Sequence, residues 1–173
     1  MKHNFSCGRT CAYMQACRFQ PIFSALGKTR VVSHVTKVDV EIKDLDALDV
    51  VCKNRGLQLR RGQTKYAWWG RSVGDYPIPA GMAAADIGKC NHAIHLNSRS
   101  YEIGLVKQSD GSYRLVFDFY NQAELLSAVG GQKCEGLIGD YTIETARSAA
   151  NAQNWPVQDN SDGTITIYHP SSG

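Results

Sequence analysis

Residues 101–120, "YEIGLVKQSDGSYRLVFDFY", constrain the fold more than any other stretch of this chain. Two runs rich in β-branched and aromatic residues flank Ser109-Asp110-Gly111-Ser112. Asp-Gly between such runs is a strong hairpin signal, because glycine takes the positive φ that a tight β-turn needs. The chain is therefore expected to build antiparallel sheet. Three further strands are predicted. "CNHAIHLN" precedes the hairpin, and a run covers Leu57 to Arg61. In "SHVTKVDVEI", Val38, Val40 and Ile42 alternate with Lys37, Asp39 and Glu41, the period of a half-buried strand.

Helical spacing appears in three places. In "KDLDALDVVCKNRG", Leu45, Leu48, Val51 and Cys52 recur on one stripe. Asp44 is placed to cap its N-terminus, and Gly56 is placed to leave in a left-handed conformation. "NQAELLSAV" reads as a short helix. "GLIGDYTIETARSAANAQNW" reads as a longer one, with Ile138, Tyr141, Thr145 and Ala149 as its stripe and Pro156 beyond its end. "VQD" and "TITIYH" around Asn160-Ser161-Asp162-Gly163 form a closing hairpin. This order predicts an α+β domain, a mostly antiparallel sheet packed on one face by two main helices.

The chain has 173 residues, 43% hydrophobic and 20% charged, which suits one globular, soluble domain with a sizeable core. No apolar run approaches the roughly 18 residues of a membrane span. The net charge of +3 is unevenly spread. Residues 1–31 hold five basic residues and no acid, whereas the remainder holds 14 basic and 16 acidic residues. We therefore divide the chain into an N-terminal extension, 1–31, and a single domain, 32–173. The extension lacks any sustained period and has three readings: a disordered tail, an organellar transit peptide, or sequence translated from upstream of the natural start.

Six cysteines occur, at positions 7, 11, 17, 52, 90 and 134. Cys52 and Cys90 fall within apolar patterns and read as buried free thiols, which suits a reducing, cytoplasmic compartment. "GKCNHAIHL" raises the alternative of catalysis, with Cys90 as nucleophile and His92 or His95 as base. On a strand, Cys90, His92, Ile94 and Leu96 would share one face and His95 would lie on the other. Residues two apart are separated by about 6.6 Å along a strand, twice its rise. A thiolate–imidazole hydrogen bond needs about 2.6–3.2 Å. A core histidine beside a buried thiol is therefore the simpler expectation. "CGRTCAYMQAC" offers three cysteines near His3 but no complete zinc ligand set, so neither metal nor cofactor is expected.

"KNRGLQLRRGQTKYAWWGR" has six basic residues and no acid, with aromatic residues interleaved. Cations track phosphates and aromatic faces stack bases, so Arg60, Arg61, Lys65, Trp68, Trp69 and Arg71 are the candidate residues of a single-stranded nucleic-acid surface. The competing expectation is that a tryptophan anchors the core while the cations stay solvated. Residues 70–88 are an irregular excursion with Gly70, Gly74, Gly81 and Gly88 and with Pro77 and Pro79. They contain no phosphate-loop, dinucleotide-binding or nucleophile-elbow motif. Asp75, Asp86, Asp118 and Asp140 show no pairing in their spacing. The overall expectation is a non-enzymatic binding module; the alternative is an enzyme with a Cys/His site in residues 70–95.

"SHVTKVDVEIKDLDAL", "YEIGLVKQSDGSYRLVFDFY" and "VQDNSDGTITIYH", in that order, resemble domain-of-unknown-function family 1257, which includes hypothetical chloroplast reading frame 35 proteins. "WWGRSVGDYPIPAGMAAADIGKCNHAI" is similar to the longer loop of its bacterial and phage branch. The resemblance covers about residues 33–169 and implies an α+β domain without an assigned activity, cofactor or catalytic residue. Members commonly begin Met-Ser-His. Ser33-His34 after Val32 fits a GTG start codon at position 32.

Overall fold

The computed structural model describes residues 35–68, 78–98 and 100–169. They lie within one unit running from Val31 to Gly173. The expectations for residues 1–31 fall outside the described residues.

The first strand, β1 (Thr36–Ile42), leads into α1 (Leu45–Asn54) and then β2 (Gln58–Arg61). After a long irregular segment with one short 3-10 turn at Ala84–Asp86 come β3 (His92–His95), β4 (Ile103–Lys107) and β5 (Tyr113–Phe117). Two helices follow, α2 (Ala123–Val129) and α3 (Glu135–Ala152), then the hairpin β6 (Val157–Asp159) and β7 (Ile165–Ile167). The main sheet has the order β1-β5-β4-β3-β2, antiparallel throughout. The fold is α+β, as its pattern predicts.

Local chemistry fixes the ends of α1. The Asp44 carboxylate accepts from the backbone N–H groups of Asp46 and Ala47, both at 2.9 Å, which satisfies two donors that have no partner inside the helix. At the other end Gly56 has a φ of 70°. Leu57 N donates to Cys52 O and Gly56 N to Lys53 O, the two bonds of a Schellman exit. Gly111 serves the β4–β5 turn in the same way, with a φ of 85°. Gln108 N closes that turn on Ser112 O at 2.7 Å.

One face of the sheet holds the main core. Leu48, Val51 and Cys52 of α1, Leu125 and Val129 of α2, and Leu137 and Tyr141 of α3 pack against Ile94, Ile103, Leu105, Leu115 and Phe117. The stripe of α3 runs through Leu137, Tyr141 and Ala150, whereas Ala149 is exposed. The predicted stripe thus drifts by one residue at its far end.

The second face is also covered. Tyr66, Trp68, Met82 and Cys90, all from the irregular segment between β2 and β3, pack on Ala93, Val106 and Val116. Gly104 makes this possible. A Cβ there would lie 2.4 Å from the Tyr66 ring, so only glycine lets the aromatic ring rest on the sheet. The irregular segment between β2 and β3 therefore covers, in its described part, a second, smaller core, to which the glycine- and proline-rich excursion itself contributes Met82.

Candidate functional site

Glu102, just before β4, is the hub of the second face. It is only 4% exposed, yet both carboxylate oxygens have partners. Oε1 accepts from Arg60 Nη1 at 3.2 Å, while Oε2 accepts from Gln63 Nε2 at 2.6 Å and from the Ala67 N–H at 2.8 Å. Glu102 N in turn donates to Ala67 O at 2.8 Å. A buried carboxylate is tolerated only when its lone pairs are answered. Here the answers come from β2 and from the covering segment, so Glu102 holds that segment down.

His95 stands beside this hub. Its Nδ1 lies 3.2 Å from Glu102 Oε1, but out of line for a hydrogen bond, and has no other partner. Tyr66 places its hydroxyl in the same layer, buried and without a hydrogen-bond partner. Burial pushes the Tyr66 phenol up to about 12, and the nearby Gly88 backbone offsets this only in part.

Cys90 does not share a face with His92 and Ile94, contrary to strict alternation. It precedes the start of β3, in an irregular link, and turns into the second core with Ala93. His92 lies on the helix side. Its Nδ1 accepts from Gly62 N at 3.0 Å, and its ring meets Tyr113 edge-on at 4.9 Å. Burial, followed by the charges of Arg61 and Lys107, lowers the His92 pKa. His95 is on the side of Cys90 but at the opposite end of β3.

The Cys90 thiol is itself occupied, donating to Gln63 O at 3.1 Å. Burial, with a smaller contribution from Glu102, pushes it up to about 11. Such a thiol is protonated at pH 7, the reverse of the depressed pKa that activates a nucleophile. No thiol–imidazole pair is assembled among the described residues. Cys52 and Cys134 are likewise buried, free, and pushed up to about 12 by burial.

The basic run of the sequence is acid-free only along the chain. In space Lys53 pairs with Asp49 at 2.8 Å and Arg55 with Asp140 at 2.7 Å. Arg60 pairs with Glu102, and Arg61 with Asp46 at 2.6 Å. Arg60 stands opposite Ala93 on the second face, whereas Arg61 stands opposite His92 on the helix side. The two arginines therefore do not form one surface. Lys65 is exposed and makes no ion pair with a described residue. Trp68 is half-buried, 6.5 Å from Tyr66 between ring centres. Its indole packs so closely on Gly88 that a Cβ there would lie 2.6 Å from Nε1. Trp69, Arg71 and Asp75 lie outside the described residues.

The remaining aspartates stay apart. Asp86 pairs with Lys89 at 3.0 Å, Asp140 with Arg55, and Asp118 is buried and accepts from Tyr120 N at 2.8 Å. Among the described residues no group of three or more His, Cys, Asp or Glu could hold a metal ion, and no helix is long and apolar enough to cross a membrane.

Glu102 is the residue that sequence reasoning missed. Alternation assigns it to a solvated face, and its partners lie 35 to 42 residues away. A signal was present: "IGLV" in β4 has no polar residue at alternate positions, as a strand covered on both faces requires. No family model, no curated protein and no solved structure matches this chain.

Proposed function

We propose that the protein is a non-enzymatic binding module, with single-stranded nucleic acid as its partner. The observation that carries this reading is that Cys90, the candidate nucleophile, is occupied and has neither candidate base as its hydrogen-bond partner. Cys90 is bonded to Gln63 O and held protonated, and His92 is bonded to Gly62 N. The surface nevertheless keeps cations near an aromatic residue. Arg60 and Lys65 are exposed along the segment that carries half-buried Trp68. Cations beside an aromatic face suit a phosphate backbone and its bases. The free thiols Cys52, Cys90 and Cys134 support a reducing, cytoplasmic setting. Membership of domain-of-unknown-function family 1257, in its bacterial and phage branch, is part of the proposal. A solved family member with the same sheet order would support it.

A fluorescence titration with oligothymidylate at two salt concentrations tests the partner, using a Trp155→Phe chain to isolate the tryptophans near the segment. The expected outcome is a change in tryptophan emission and an affinity that falls as salt rises. Unchanged emission with no binding at low salt overturns the nucleic-acid reading.

A further inference from the structure

An open sheet has two outer edges, and the edges of this protein are not alike. β1 carries Lys37, Asp39 and Glu41, β2 carries Arg60 and Arg61, and β6 carries Asp159. Charges on an outer strand oppose pairing with another chain. β7, Ile165-Thr166-Ile167, has none, and all three residues are β-branched strand formers. We propose that β7 is a dimerisation edge. Two copies of this chain pair there, antiparallel about a twofold axis at Thr166, and make one four-stranded sheet, β6-β7-β7-β6. The hairpin shares no residue with the segment from Arg60 to Trp68, so this goes beyond the nucleic-acid reading.

The backbone shows which groups the edge offers. Asn160 N donates to Thr164 O and Tyr168 N to Pro156 O, both at 2.9 Å. In an antiparallel pair, mutually bonded residues alternate with residues whose N–H and C=O turn outward. Val157 with Ile167, and Asp159 with Ile165, are therefore the pairs that turn outward. The N–H and C=O of Ile165 and Ile167 face away from β6, and no hydrogen bond joins them to a described residue. This edge matches itself. With Thr166 on the axis, Ile165 of each copy stands opposite Ile167 of the other, and the two pairs make four N–H···O bonds. Such a contact uses the same patch on both copies and closes at two.

The side chains fit that register. Thr166 meets Thr166, Ile165 meets Ile167 and Thr164 meets Tyr168, and cross-strand pairs of these kinds stabilise sheets. Four large hydrophobic side chains are exposed among the described residues, and Ile167 and Tyr168 are two of them. Pairing sets a neighbour against each. A two-stranded ribbon is marginal alone. α3 supports one side of this one through Arg147 and Asp159, and the second copy supplies the strands it lacks.

Sedimentation velocity and amide hydrogen exchange of the full-length chain, without nucleic acid, test the proposal. The chain is expected to pass from monomer to dimer between micromolar and millimolar concentration. Over that range the amides of Ile165 and Ile167 should slow at least tenfold, and more than the amide of Tyr168, which is already bonded. Ile167→Lys and Ile165→Glu should each weaken the dimer at least tenfold with an unchanged melting temperature. Position 165 of one copy faces position 167 of the other, so mixing the two variant chains should restore a dimer. The exchange measurement needs no variant, so it decides even where a substitution unfolds the hairpin. A monomer at millimolar concentration, a dimer indifferent to Ile167→Lys, or no recovery on mixing folded variants would each overturn it. So would protection of both isoleucine amides at every concentration, which would mean that another part of the chain covers the edge. None of these readouts involves nucleic acid, so the two readings fail separately.

Discussion

A carboxylate with 4% exposure must satisfy its oxygens inside the protein, and Glu102 does so with donors from β2 and from residues 63–67. Glu102→Ala strands those donors together, and a buried unsatisfied group costs about 1–3 kcal/mol. Partial hydration of Arg60 lowers the sum, so we expect a loss of about 3 kcal/mol in urea unfolding. Glu102→Gln keeps one acceptor and should lose roughly half as much. A loss below about 1 kcal/mol for the alanine variant would show that the hub does not hold the segment. This residue marks where the sequence stops being legible. Period-two reading sees one buried face, and the cover on the second face is supplied by a segment with no period. The ion pairs of Arg55, Arg60 and Arg61 were hidden for a related reason, since their acids lie 85, 42 and 15 residues away.

At the level of elements, α1 was legible because its signals are local: Asp44 at one end, Gly56 at the other, apolar stripe between. Its placement depends on a distant residue. The Tyr141 hydroxyl of α3 accepts from the backbone N–H groups of Lys43 and Asp44, at 3.0 and 3.1 Å. This fixes the turn from β1 into α1 against the longest helix. Tyr141→Phe removes one oxygen and leaves two partly buried donors to water, so thermal or urea unfolding should show a loss of about 1–2 kcal/mol. A neutral outcome would mean that water replaces the hydroxyl fully. Cys90 shows the opposite lesson. The strand it seemed to begin starts two residues later, at His92, and the irregular backbone before it turns the thiol to the other core.

For the whole molecule, the order of elements was readable but the strand order was not, because nothing local says that β1 and β2 occupy opposite edges. Both cores are assembled from described residues between Val35 and Tyr141. A chain beginning at residue 32 should therefore melt within about 5 °C of the full chain, a window of roughly 1–2 kcal/mol at this size. Chelator should leave both melting temperatures unchanged. A larger shift on truncation would assign residues 1–31 a packing role, and a shift with chelator would revive a zinc site at Cys7, Cys11 and Cys17.

The edge position of β1 also bears on how the protein is made. Among the described residues its only strand neighbour is β5, with Thr36 paired to Phe117 and Val38 to Leu115. During synthesis β1 leaves the ribosome well before its partner has been translated, and long-range pairings of this kind form late. For that interval the nascent chain carries a strand with both edges open, the state most prone to joining a neighbouring chain. Lys37, Asp39 and Glu41 put a charge at every second position of that strand. In the finished protein Glu41 is exposed and Lys37 Nζ donates to Ala80 O; on an unpaired strand, charges at alternate positions oppose joining to the strand of another copy.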